Sequence, residues 1–177
     1  MKTLIYFIES STDFNDTDLN SPFISGSEKT LINISKELSY NNELIIKVFN
    51  NTQNERISDN FEWVNINRIF KYPSPDFLIA MSDANLLSYI DCKKKFLWSH
   101  SVQTLEKFIR KKQLISFLIN RPKMLLEGEY HFKTRSFFTS FFGKKILPIA
   151  VDYDFINTKI DKPYNLNKKA IFTTRSD

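Results

Sequence analysis

Residue types capable of chemistry gather at three points in the chain: Ser25-Gly26-Ser27-Glu28, Trp98-Ser99-His100-Ser101 and Gly128-Glu129. Ser25 and Glu28 satisfy the S-x-x-E spacing of a capping box, in which the serine oxygen takes the N–H of Glu28 and the carboxylate takes the N–H of Ser25. The amides of Gly26 and Ser27 are then left at the positive end of the helix dipole. Such amides hold a phosphate or carboxylate without a cationic side chain. His100 follows an apolar run, which puts an imidazole at a strand end, where it can donate or accept a proton at neutral pH. Gly128 precedes another helical pattern and predicts a second strand-to-helix turn. His131 falls inside that helix and reads as a packing or surface residue.

The elements that must position these groups alternate along the chain. Strands are expected at 2–8, 44–49, 61–66, 76–80, 95–98, 124–126 and 146–151, each a short apolar run. Helices are expected at 28–38 (Leu31, Ile34, Ser35 and Leu38 on one stripe, Glu28 off it), 84–90, 102–119 and 129–142. In the third, Val102, Leu105, Phe108, Ile109 and Leu118 form the inner side, and Lys107, Arg110 and Lys111 point outward. Residues 10–20 and 50–60 read as polar connectors, the first of them mobile, and Pro73-Ser74-Pro75 as a turn. Strand–helix alternation with right-handed crossovers gives an α/β fold, a three-layer α/β/α Rossmann-like domain with a mostly parallel sheet. Its ligands belong at the carboxyl ends of the strands.

A chain of 177 residues is enough for one sizeable core. The expected division is a domain over 1–160, a polar linker over 161–169, and residues 170–177 as the start of a further domain or an extra strand able to pair at an edge in a homodimer. A single cysteine, Cys92, excludes an internal disulfide, and no secretory or transmembrane run appears, so a cytoplasmic setting is expected. The +5 charge is uneven: residues 1–90 carry 7 basic and 12 acidic side chains, residues 91–177 carry 18 and 8. A basic half suits phosphate-bearing partners or an anionic membrane. Phe137, Phe138 and Phe141 flanked by Lys144 and Lys145 are either core or a peripheral contact with the inner face of a membrane. No zinc-like spacing, RRM pattern, G-x-G-x-x-G or P-loop occurs, so neither a metal, nucleic acid nor a dinucleotide cofactor is expected.

In series, several segments resemble the N-terminal domain of GT-B glycosyltransferases of the family-4-like group: Lys2–Ile8 with Gly26-Ser27-Glu28-Lys29, Pro75–Ala80, Trp98–Ser101, Lys145–Pro148 with Val151–Phe155, and Ile171–Asp177. The family's paired glycines are Ser25-Gly26 here, and its Asn-Gly is Ile149-Ala150. The resemblance implies a transferase moving a sugar from a nucleotide-diphosphate sugar donor to a sugar or lipid-linked acceptor. This chain would be the acceptor-binding half, inactive without a donor-binding domain. It further implies that His100 contacts the acceptor or the transferred sugar, that Gly26 and Ser27 meet the diphosphate, and that Gly128 and Glu129 line the cleft. A non-enzymatic binding module is the alternative.

Overall fold

A computed structural model describes residues 2–101, 103–133 and 141–147. Eight strands form one sheet: β1 (Thr3–Ile8), β2 (Leu44–Asn50), β3 (Arg56–Ile57), β4 (Phe61–Asn65), β5 (Phe77–Met81), β6 (Lys95–Ser99), β7 (Lys123–Leu126) and β8 (Lys144–Ile146). Four α-helices accompany them: α1 (Gly26–Ser39), α2 (Leu105–Arg110), α3 (Leu114–Asn120) and α4 (Glu129–Lys133), with 3-10 turns at Asp18–Asn20, Ile66–Lys71 and Ala84–Ser88. The order across the sheet is β3-β4-β2-β1-β5-β6-β7-β8. Every pairing is parallel except β3 with β4.

Side chains alternate between the two faces of each strand, and the sheet accordingly carries two cores. Tyr6, Ile8, Phe49, Leu78, Ala80 and Leu97 share one face with Leu86 and Leu87 of a 3-10 turn, Phe108 of α2 and Phe117 of α3. Phe7, Ile46, Val48, Trp63, Met81 and Trp98 share the other with Leu31 and Ile32 of α1 and Phe14 of the preceding loop. The expected α/β layering is present.

The differences from the sequence reading have local physical causes. Residues 102–119 do not form one helix. At the end of α2, Lys112 takes φ 55°, its N–H donates to Ile109 O (3.0 Å), and the N–H of Gln113 reaches back to Phe108 O (2.8 Å). This is a Schellman stop with lysine where glycine is usual. The break turns the second half of the helix, so Phe117 is buried and Leu118 exposed, while in α2 Phe108 is buried and Leu105 and Ile109 are exposed. Residues 10–20 are not a loose connector: Phe14 is buried edge-on against Trp63, and Asn50 Nδ2 donates to its carbonyl (2.7 Å). Glu28, placed off the apolar stripe of α1, is buried. The helix expected over 129–142 is α4 at its start, but residues 141–142 form a turn, and β8 begins at Lys144 rather than 146.

Phe137, Phe138, the remainder of the strand expected to Val151, the linker and the terminal strand lie outside the described residues, as does the side chain of His131. Phe141 is exposed and so is Lys145. Lys144, in contrast, turns inward, donating to Phe132 O (3.1 Å) and lying over that ring. No helix among the described residues is long and apolar enough to cross a membrane.

Candidate functional site

Strand β1 pairs with β2 on one side and β5 on the other, so chain progression reverses direction across the sheet at β1. Crossovers diverge there and leave a crevice beyond the strand ends. A cavity of about 340 Å³ occupies that position. Its walls come from Glu9 and Ser11 after β1, Ser27 and Glu28 at the start of α1, Ser82 and Asp83 after β5, and His100 after β6. Lys111 and Gln113 enter it from the α2–α3 break.

The capping box forms as its spacing requires. Ser25 Oγ accepts from Glu28 N (3.5 Å), and Glu28 Oε2 accepts from Ser25 N. The other Glu28 oxygen takes the hydroxyl of Thr12. Glu28 is thus held inward by its bonds to the loop and cap. The N–H groups of Gly26 and Ser27 begin the helix, where no intrahelical acceptor exists. Gly26 is exposed, and a Cβ built on it would meet nothing within 4 Å. Open space, not a left-handed φ, lies in front of this residue. Among the described residues the only positive-φ glycine is Gly143 (φ 90°).

His100 is fixed from two directions. Its Nδ1 pairs with Glu127 Oε1, and its ring lies 4.9 Å from that of Trp98, tilted by 35°. Both members of the pair are largely shielded, with side-chain exposures of 14% and 12%. An ionised carboxylate only accepts, so Nδ1 is the donor of this pair. Nε2 is buried with no hydrogen-bond partner among the described residues. A carboxylate that orients an imidazole and leaves the far nitrogen without a partner is an arrangement from which a general base can be built.

Beside it, Ser82 holds φ 56°, an unfavourable conformation for a residue with a Cβ. The N–H of Ser82 donates to Trp98 O (2.8 Å), and Asp83 Oδ1 accepts from Asn85 N (2.9 Å), so backbone and cap bonds hold this corner.

Ser27 and His100 therefore share one cleft, with Gly26 beside it. Gly128 and Glu129 do not line it. Gly128 does open the turn between β7 and α4, but Glu129 is exposed and paired with Lys133 (3.1 Å). The residue that matters there is Glu127, one position earlier, and no spacing rule marked it. Glu9, Ser82 and Asp83 share one recoverable signal, a polar residue directly after an apolar strand. Lys111 had none, because its position depends on the unanticipated helix break.

Among the described residues no group of three or more His, Cys, Asp or Glu side chains could hold a metal ion. Compared with known proteins, the chain matches no family model, no curated protein and no solved structure.

Proposed function

We propose that this chain is the acceptor-side domain of a glycosyltransferase, a three-layer Rossmann-like half of a GT-B enzyme. The observation that carries the reading is the His100–Glu127 pair, with its far imidazole nitrogen buried and unpartnered at the crevice beside β1. In the proposed reaction Nε2 takes the proton of an acceptor hydroxyl as that oxygen bonds to the anomeric carbon of the donor. The bond from that carbon to the diphosphate breaks, and the electron pair leaves with the diphosphate. Negative charge grows on the leaving group, and preorganised donors aimed at it lower the barrier. The amides of Gly26 and Ser27 and the ammonium of Lys111 supply such donors at the cleft. The nucleotide is held by a second domain, so this chain alone gives no turnover. An acceptor carried on a lipid at the inner face of a membrane is consistent with exposed Phe141 and Lys145.

The test is an amide NMR titration of the chain with methyl hexopyranosides and, separately, with nucleoside diphosphates and nucleotide-sugars. Glycosides shift the signals of Ser27, Ser82, His100 and Gln113, and the nucleotides bind weakly. Tight nucleotide-sugar binding, or glycoside shifts located elsewhere, refutes the division of labour.

One observation favours a second reading, a non-enzymatic binding module. The sheet face carrying α1 has an apolar groove of about 530 Å³, lined by Phe7, Ile34, Leu38, Phe77, Ile79 and Phe96. Grooves of that character serve association. A concentration-dependent shift in gel filtration, with no glycoside binding, would favour that role.

A further inference from the structure

Glu9 is an ionisable side chain that the proposed sugar transfer does not yet use. It is only 7% exposed and stands directly after β1, anchored by its own N–H donating to Phe49 O (3.0 Å). Its Oε1 accepts twice from Ser11, from the backbone N–H (2.7 Å) and from the hydroxyl. Its Oε2 is buried and accepts nothing among the described residues. Burying a carboxylate oxygen without a donor is costly, so this atom calls for a donor from outside the chain, a water or a ligand hydroxyl.

Four buried side-chain atoms lack a hydrogen bond among the described residues: Glu9 Oε2, Asp16 Oδ1, Trp98 Nε1 and His100 Nε2. Asp16 Oδ1 faces Arg56 Nε at 3.2 Å, so a charge contact accounts for it. Of the other three, Glu9 and His100 line the same cleft, and Trp98 lies against the ring of His100. Glu9 Oε2 is an acceptor, and so is His100 Nε2 in the neutral imidazole that the proposed base requires, so a group shared between them must donate. Hydroxyl groups do so without bringing charge. Glu9, Glu28 and Asp83 set three carboxylates in this lining against Lys111, so an acidic acceptor meets repulsion there, and the diphosphate is confined to the amides of Gly26 and Ser27 and to Lys111.

We infer that Glu9 is the residue that selects the acceptor, binding a second hydroxyl of a neutral sugar whose reacting hydroxyl is presented to His100. The inference rests on the sugar-transfer reading and adds a substrate class to it: a neutral polyhydroxylated acceptor, with uronic and other acidic sugars turned away.

The experiment measures dissociation constants for methyl hexopyranosides and for the corresponding methyl hexopyranosiduronates, on the full chain and on Glu9→Gln. Glu9→Gln keeps the shape of the side chain but replaces one carboxylate oxygen with a donor. Thermal unfolding of the variant establishes that it is folded. The neutral glycosides bind the wild type at least about ten-fold more tightly than the uronates, and Glu9→Gln loses about ten-fold or more for the neutral set. The uronate comparison needs no variant, so equal binding there overturns the inference even if Glu9→Gln unfolds. Equal binding of uronates and neutral glycosides, or an unchanged affinity in Glu9→Gln, overturns the role of Glu9 and leaves sugar transfer standing. Failure of every glycoside to shift the His100 signals overturns both.

Discussion

Replacing Phe14 by alanine measures whether the segment between β1 and α1 is a built part of the cleft. Phe14 is 2% exposed, with its ring edge-on to Trp63 at 5.4 Å between centroids. Truncating a fully buried phenylalanine costs about 3–5 kcal/mol, of which about 0.5–1.5 kcal/mol belongs to an aromatic pair of this geometry. A mobile surface loop would lose almost nothing, because its side chains are already hydrated. Urea unfolding of wild type and Phe14→Ala should therefore differ by about 3 kcal/mol or more. Hydrogen exchange adds the local readout: the hydrogen-bonded amides of Asn15, Thr17 and Asp18 are protected in the wild type and exchange faster in the variant. The consequence reaches the site, since the same segment supplies Ser11 to Glu9 and Thr12 to Glu28. A loss below about 1 kcal/mol, or unprotected amides at Asn15, Thr17 and Asp18 in the wild type, would refute the packing argument.

Three further outcomes follow from single contacts. Glu127→Ala removes the acceptor of a shielded imidazole N–H and should cost about 1.5–3 kcal/mol in urea unfolding, while Glu127→Gln, which retains an acceptor, restores part of it. Lys112→Gly relieves a left-handed residue at the end of α2 and should stabilise by about 0.5–1 kcal/mol in the same assay. Burial pushes the Cys92 thiol up from its ordinary range, so less thiolate exists at a given pH. Its alkylation by iodoacetamide should lag a free cysteine peptide near neutral pH and close the gap as pH rises; equal rates at neutral pH would contradict that burial.

The layering was legible because buried parallel strands are written as apolar runs such as Leu4–Ile8 and Leu44–Phe49, and the start of α1 because its cap has a spacing of its own. His100 was legible for the same reason, as a polar residue at the end of such a run. The break after α2 was not, since its left-handed position is occupied by lysine rather than glycine or asparagine. Lys111 and Gln113 were lost with it. Phe14 was hidden in a polar stretch whose single aromatic carries the packing. Glu127 acquires its role only from the pairing of β6 with β7, which sets the ends of these two strands side by side. Local pattern holds no trace of such a neighbour.

The account depends most on the free lone pair of His100. A long-range proton–nitrogen spectrum of the imidazole rings, recorded at neutral pH with and without a saturating neutral methyl hexopyranoside, reads that atom directly. The account predicts a ring protonated at Nδ1, with the glycoside moving the Nε2 resonance more than the Nδ1 resonance. A proton on Nε2 in place of Nδ1, or an Nε2 signal indifferent to every glycoside, would contradict it.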